Sequence, residues 1–185
     1  PIPSVVQPVN QTLCNGAATN AITFTGSVSN TIYNWSNNNT SIGLAAAGNG
    51  NIPAFTAVNT GNAPVTATVT VTPSAAGCAG TAQIFTITVN PTPDVVQPAN
   101  QIICNGATTN AVIFTGSVSG TIFNWTNNNT SIGLAAGGNG NIPAFTAINT
   151  TNVPVTATIT VTPTASGCAG LPQTFIITIN PTPDV

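Results

Sequence analysis

The sequence predicts an all-β protein that consists of two copies of one β-sandwich. Thr, Asn, Val, Gly and Pro are abundant, whereas Leu is scarce and Glu and Lys are absent, which favours strands over helices. Several segments alternate between apolar residues and Thr, the period of a half-buried strand. The chain also repeats itself with a period of 90 residues, a length that fits one small sandwich.

The internal repeat defines the predicted domains. Residues 1–90 align with residues 91–180 without a gap, and 67 of the 90 positions are identical. Residues 181–185 repeat residues 91–95, so we expect a third copy to start there. Each copy opens with a Pro-X-Pro segment, which favours an extended backbone. We therefore predict sandwich domains at 1–90 and 91–180 that are joined stiffly, end to end.

Within one copy, strand signals recur at short intervals. The sixth segment alternates most clearly, with Val65, Ala67, Val69 and Val71 predicted to face inward and Thr outward. Residues 47–51 are predicted to form a turn and residues 74–80 a loop. The predicted strands cover 4–9, 21–28, 31–36, 41–46, 52–59, 65–73 and 84–90.

About seven strands with a tryptophan on the third one indicate an immunoglobulin-like sandwich. The tryptophan is Trp35 in the first copy and Trp125 in the second. We expect both side chains to anchor their cores, because a large aromatic residue on a central strand usually packs inside.

Composition excludes most kinds of chemistry. The chain has no Lys, Arg, His or Met, and its two acidic residues are Asp94 and Asp184. Acid–base catalysis requires positioned titratable groups, nucleic-acid binding requires cations, and calcium sites require several carboxylates. No segment approaches the roughly 20 apolar residues of a membrane span. We predict no enzyme activity, no metal or other cofactor, no nucleic-acid partner and no membrane span.

Short sequence words occur at equivalent places in both copies. Examples from the first copy are Cys14-Asn-Gly, Phe24-Thr-Gly, Asn34-Trp, Val71-Thr-Pro and Gly77-Cys. In these words the repeat resembles the PKD-like or Ig-like repeats of very large secreted surface proteins of Bacteroidota, including gliding-motility adhesins. The resemblance implies export to the cell surface by a type IX-like route and a role as a spacer. The metal-binding acidic residues of some PKD-type domains have no counterpart in this chain.

Four cysteines in a surface protein predict two disulfides. One possible pairing lies within each repeat, Cys14 with Cys78 and Cys104 with Cys168. If seven strands alternate up and down, however, Cys14 lies at the pole where the chain leaves its unit and Cys78 at the pole where it enters. Cys14 would then face Cys168 across the junction, and Cys78 and Cys104 would pair with neighbouring repeats. The sequence leaves both possibilities open.

A row of outward threonines forms a possible contact face. The face is neutral and carries hydroxyl and methyl groups, which is compatible with a solvated strand surface, with lateral packing of arrays, or with weak binding to polysaccharide or ice. Its members on two neighbouring strands are Thr66, Thr68, Thr70, Thr72, Thr86 and Thr88.

Two functional hypotheses follow. In the first, the chain is a structural repeat of a long extracellular stalk, filament or adhesin, stiffened by its Pro-X-Pro linkers and disulfides. In the second, it is an adhesive module whose Thr- and Asn-rich faces contact polysaccharide or another surface. The expected partners are neighbouring repeats of the same chain, laterally associated copies, and polysaccharide.

Overall fold

The computed structural model describes residues 1–182, so the predicted third-repeat start at 181–185, with Asp184, falls mostly outside the described part. The chain divides into two compact units, Pro1–Thr92 and a second unit that begins at Pro93. The division falls inside the Pro-X-Pro segment 91–93.

One six-stranded sheet dominates the first unit. The strand order is β1-β6-β4-β2-β3, with the short β5 also paired to β4. The β1–β6 pair is parallel, and the other pairs are antiparallel. The strands are β1 Gln11–Cys14, β2 Ile32–Asn37, β3 Ala47–Asn49, β4 Val65–Ala75, β5 Cys78–Ala79 and β6 Gln83–Asn90.

The second unit has the same sheet in the same order, β7-β12-β10-β8-β9, with β11 paired to β10. Its strands are β7 Gln101–Cys104, β8 Ile122–Asn127, β9 Gly137–Asn139, β10 Val155–Ala165, β11 Cys168–Ala169 and β12 Gln173–Asn180.

A second layer faces this sheet, and its backbone pairing is sparse. In the first unit, isolated bridges join Ala18 to Thr56 and Ile22 to Ile52. Side chains replace other ladder bonds, since Asn51 Oδ1 accepts the Phe24 N–H at 2.9 Å. The predictions of continuous strands at 21–28 and 52–59 were therefore wrong, although both segments contribute isolated bridges to the second layer.

The prediction of a first strand at 4–9 was also wrong. The segment bonds to the second layer through the Val6 N–H and the Thr25 carbonyl, 2.8 Å apart. It then crosses to the large sheet and pairs there as β1, which begins at Gln11, seven residues later than predicted. Pro8 lies at the crossing, where its missing N–H and fixed φ prevent regular pairing.

Three further local predictions need correction. The segment predicted as a strand at 41–46 begins with a 3₁₀ turn, Thr40–Ile42, capped by Asn39, whose Oδ1 accepts the Ser41 N–H. Residues 47–49 form the edge strand β3 instead of a turn. The predicted loop at 74–80 is a continuation of β4 that returns as β5.

Each unit closes its own apolar core between the two layers. Of the four β4 residues predicted to face inward, Ala67, Val69 and Val71 are fully buried and Val65 is half-buried. The inward Phe85, Ile87 and Val89 of β6 are also almost completely buried. Phe85 and Ile87 are among the largest fully buried side chains, as are Phe175 and Ile177 in the second unit. The architecture is therefore all-β, as predicted.

Candidate functional site: the poles and the outer face of each unit

The exit pole of the first unit is the end at which β1 and β6 finish together. Cys14 ends β1 and lies opposite Asn90, the last residue of β6. The Asn15 N–H donates to the Asn90 carbonyl at 2.9 Å, and Asn15 Nδ2 donates to Thr92 Oγ1 at 3.2 Å. The outgoing chain is thus bonded to its own unit up to Thr92.

The same exit pole recurs in the second unit. Asn105 donates its backbone N–H to the Asn180 carbonyl at 2.9 Å and its side-chain amide to Thr182 Oγ1 at 3.1 Å. Cys104 takes the place of Cys14, opposite Asn180.

A buried asparagine supports the exit pole from within. Asn59 is 4% exposed, and its Nδ2 donates to the carbonyls of Ala63 at 2.9 Å and Val89 at 2.7 Å. Its backbone N–H donates to Asn15 Oδ1 at 2.9 Å. The sequence analysis did not identify this role, although one signal was present: Asn15 and Asn59 recur in the second copy, as Asn105 and Asn149.

The entry pole lies at the other end of the unit, beside the β4–β5 hairpin. Gly80 packs against the incoming chain, and a Cβ at this position would overlap the Pro3 carbonyl. Gly170 meets Pro93 in the same way in the second unit. Glycine is required at both positions because backbone atoms occupy the space of a side chain.

The entry segment is also held by hydrogen bonds to the second layer. Ser4 Oγ accepts the Ser27 N–H at 3.1 Å in the first unit. In the second unit Asp94 Oδ1 accepts both the N–H and the hydroxyl of Ser117, each at 2.7 Å. The side-chain bond and then the backbone bond from Ser117 lower the pKa of Asp94, because both donors favour the carboxylate.

The cysteines lie at these opposite poles. Cys14 and Cys78 lie eleven residue positions apart along the direction of β6 and β4. At the usual rise per residue of a strand, this separation is about 35 Å. Disulfide formation requires Cα atoms within about 7 Å. The strand register therefore excludes the pairing of Cys14 with Cys78, and the same register in the second unit excludes Cys104 with Cys168.

Two of the four cysteines are disulfide-bonded. They are Cys14, which belongs to the first unit, and Cys168, which belongs to the second. Cys78 and Cys104 are exposed free thiols in this structure.

The threonine rows form the outer face of the large sheet. Thr66 lies opposite Thr88, and their hydroxyls are 2.9 Å apart in a hydrogen bond. Thr66 is exposed, whereas the other five threonines of the predicted face are half-buried. The face also carries Ile32 and Ile84, each more than half exposed, so it is less polar than its threonines alone indicate.

The two tryptophans lie inside the cores. Trp35 is 8% exposed and Trp125 is 7% exposed. The Trp35 indole lies over Gly48 of β3, where a Cβ would overlap the ring. The Nε1 atoms of both tryptophans are buried, and neither has a hydrogen-bond partner among residues 1–182.

Each unit also has an open groove where its first segment crosses between layers. The grooves measure about 300 Å³ in the first unit and about 340 Å³ in the second. In the first unit, residues 6–11 form one wall and residues 20–23 the other, and all of these residues are neutral.

Within residues 1–182, no group of three or more His, Cys, Asp or Glu side chains is arranged to hold a metal ion. No helix in that range has the length and apolar character needed to cross a bilayer.

Comparisons with known proteins agree with this architecture. The profile of the PKD-like domain family matches residues 101–183. The I-band fragment I67–I69 from titin is similar in fold, with a TM-score of 0.56 and 11% identity over 97% of this chain and 66% of the fragment. Sidekick-1 immunoglobulin domains 1–4 give a TM-score of 0.51 and 12% identity over 96% of this chain and 48% of theirs. No curated protein matches the chain.

The chain thus spans less than two thirds of either of these solved structures. The comparisons confirm the predicted fold class, a tandem of immunoglobulin-like sandwiches, and support a repeat of the PKD/Ig-like kind. Domains of the PKD/Ig-like kind are typically non-catalytic. A disulfide is typical of proteins outside the reducing cytosol, which agrees with an extracellular protein.

Proposed function

We propose that the chain is a rigid spacer in an extracellular stalk, filament or adhesin. The observation that carries this proposal is how far each unit holds its own part of the connecting segment. The Thr92 hydroxyl is bonded within the first unit, and the carbonyl of the next residue, Pro93, packs on Gly170 within the second. One peptide bond therefore connects two anchored residues, and no free linker residue remains.

The path of the chain through each unit supports the same role. In the first unit the chain enters beside Gly80 and leaves beside Cys14, about 35 Å away along the long strands β4 and β6. Each repeat therefore adds length along its strands. Tension on the two ends is transmitted through a closed apolar core.

A disulfide across the junction, Cys14 with Cys168, belongs to this proposal. Both residues are disulfide-bonded, the other two cysteines are free thiols, and the strand register excludes a bond within either unit. Such a bond would join the exit pole of one unit to the entry pole of the next. It would limit bending at the junction and constrain the unfolded chain.

The proposal places the protein on the cell surface, where it acts mechanically and not as an enzyme. The resemblance of its sequence words to Bacteroidota surface repeats supports export by a type IX-like route and a place in a gliding-type adhesin. The near absence of charge supports use in an array, because adjacent units do not repel each other.

Small-angle scattering of multi-repeat chains tests the spacer function. A Gly-Ser-Gly-Ser insertion between Thr92 and Pro93, with Cys14 and Cys168 changed to Ser, should broaden the distance distribution and reduce the mean end-to-end length. The same insertion beside the exposed Asn62 is the matched control and should leave the length unchanged. A native chain as compact and variable as the junction variant would contradict the proposal.

A second candidate function is adhesion through the outer face of the sheet. The exposed Ile32 and Ile84, beside hydroxyl groups and without charge, favour contact with another neutral surface. The candidate ligands are a polysaccharide or the same face of another array. Substitution of Thr70, which lies opposite Ile84, by Lys should abolish glycan-array binding or lateral association in sedimentation. Unchanged behaviour of the Lys variant would argue against this function.

A further inference from the structure

We infer that Asn49 and Asn139 are sites of spontaneous deamidation, which converts the neutral edge strands β3 and β9 into negatively charged ones. The second reactant is water, and the inference is independent of the proposed spacer function. The chain contains four Asn-Gly pairs, and the fold divides them into two classes. Two pairs lie at the exit poles and two at the ends of the edge strands: Asn15-Gly16, Asn105-Gly106, Asn49-Gly50 and Asn139-Gly140.

The reaction takes place within an Asn-Gly pair. The glycine nitrogen loses its proton to base and forms a bond to the asparagine Cγ, and the side-chain amide leaves as ammonia. Water then opens the cyclic imide at one of its two carbonyls, which gives aspartate or isoaspartate. One amide and one water are consumed, and one carboxylate and one ammonium ion are formed. Glycine favours the ring closure because it has no side chain to obstruct it.

At the exit pole of the first unit, hydrogen bonds oppose this reaction. Asn15 Oδ1 accepts the Asn59 N–H at 2.9 Å, and Asn15 Nδ2 donates to Thr92 Oγ1 at 3.2 Å. The Gly16 N–H donates to the Ala57 carbonyl at 2.8 Å. The amide must turn toward the glycine nitrogen before the nitrogen can attack Cγ, so three hydrogen bonds have to break first.

The exit pole of the second unit repeats this protection. Asn105 Oδ1 accepts the Asn149 N–H at 2.9 Å, and Asn105 Nδ2 donates to Thr182 Oγ1 at 3.1 Å. The Gly106 N–H donates to the Ala147 carbonyl at 2.8 Å. The same three bonds therefore hold the second exit-pole pair.

The asparagine side chains of the edge strands are not held in this way. Asn49 ends β3 and Asn139 ends β9, and both are exposed. Neither side-chain amide has a hydrogen-bond partner in the described part of the chain. Both amides can therefore turn toward the following glycine without the loss of a bond.

The glycine nitrogens of the edge pairs each have one hydrogen bond. The Gly50 N–H donates to the Tyr33 carbonyl at 2.9 Å, and the Gly140 N–H donates to the Phe123 carbonyl at 2.9 Å. These bonds lie at the ends of edge strands that are only three residues long, where local opening requires little free energy. One weakly protected bond thus replaces the three bonds of the exit poles.

The product changes the electrostatics of the edge strands. Each conversion adds one negative charge to a chain whose formal net charge is −2. β3 and β9 lie at the edges of their sheets and contain no charged residue. Charged side chains on an edge strand hinder its pairing with another sheet. Deamidation would therefore protect these edges against sheet-to-sheet association.

The test incubates the folded chain in mildly alkaline buffer and, in parallel, the chain unfolded in urea. Ion-exchange chromatography measures the added charge, and tandem mass spectrometry of reduced, chymotryptic fragments locates it. The unfolded chain gives the intrinsic rate of each pair, so the ratio of folded to unfolded rates measures protection by the fold. This ratio should be near one for Asn49 and Asn139. It should be lower by about tenfold or more for Asn15 and Asn105, because two further hydrogen bonds must break.

The double variant N49S/N139S is the matched control. Both positions are exposed and make no side-chain hydrogen bond in the described residues, so the variant should fold as the wild type does and acquire no charge on the same timescale. Equal protection of all four pairs in the folded wild type would overturn the inference. So would a folded wild type that gains no charge while the unfolded chain reacts, or a folded double variant that gains charge as fast as the wild type.

Discussion

At the scale of single residues, asparagine side chains form many of the hydrogen bonds that hold irregular segments to the sheet. Asn37 Nδ2 donates to the Leu44 carbonyl at 3.0 Å, and Asn38 Oδ1 accepts the Thr68 N–H at 2.7 Å. Asn10 Oδ1 accepts the Thr86 N–H at 2.8 Å. An amide can donate and accept at once, so one side chain satisfies several backbone groups where irregular segments meet the sheet.

Substitution of the buried Asn59 tests whether asparagine side chains stabilise the fold by bonding to backbone groups. Substitution Asn59→Ala should lower the free energy of unfolding of the first unit by about 3 kcal/mol, because it leaves buried carbonyls of β6 and the neighbouring loop without donors. Urea denaturation monitored by tryptophan fluorescence measures the change. Asn62→Ala, at an exposed position nearby, should have little effect, and equal losses for the two variants would contradict the assigned role.

Asp94 predicts a difference in acid stability between the units. Its pKa is lowered in the folded state, so its contribution is fully present above the ordinary value of 3.8 and is lost as the pH falls through the lowered value. The second unit should therefore lose stability below about pH 4. The first unit has Ser4 at the equivalent position, so protonation of a carboxyl group there should cause no loss of stability.

The matched variant is Asp94→Ser, which copies the first unit. Thermal unfolding between pH 5 and pH 2 should show a smaller decrease in the melting temperature of the second unit in this variant than in the wild type. Because Asp94 is exposed, solvent screens the effect and the expected shift is small. An identical pH dependence in the two proteins would show that Asp94 does not contribute.

At the scale of elements, short-range patterns predicted the long central strands and failed at the edges. β4 alternates from Thr66 to Ser74, and its two longer partners, β2 and β6, are formed by segments with a similar pattern. β1 is only four residues long and pairs in parallel with a strand more than seventy residues later. Such a partner leaves no periodic signal in the four residues themselves.

The edge strand β3 shows a second limit of sequence patterns. Its Gly and Asn residues are typical of turns, which is why a turn was predicted at 47–51. Gly48 instead lies opposite Trp35, where only a hydrogen atom fits under the indole ring. The requirement comes from a packed neighbour in space, which the local sequence does not reveal.

The contact of Gly80 with the Pro3 carbonyl holds the incoming chain at the entry pole. Gly80→Ala should lower the stability of the first unit by about 2 kcal/mol, because the added methyl group meets the Pro3 backbone and cannot be accommodated by a side-chain movement. Hydrogen exchange should show faster opening of residues 3–6 in this variant. Gly61→Ala, in an open loop, is the control; a comparable loss there would remove the special role of Gly80.

At the scale of the whole molecule, the repeat and the composition were sufficient to predict the fold class. An exact period of 90 residues, alternating strands and a central tryptophan all agree with tandem immunoglobulin-like sandwiches. The opposite location of Cys14 and Cys78 also followed from counting strands. The choice between the two disulfide pairings did not, because one miscounted strand reverses the pole of a cysteine.

The central claim of the proposed spacer function is a disulfide between Cys14 and Cys168. Trypsin has no site in this chain, but chymotryptic cleavage at Phe24, Phe55, Phe85, Phe114, Phe145 and Phe175 places each cysteine in a different fragment. Non-reducing mass spectrometry of the two-repeat chain should detect the fragment of Cys14 linked to that of Cys168, with Cys78 and Cys104 as free thiols. A linked pair of Cys14 with Cys78, or of Cys104 with Cys168, would contradict the account.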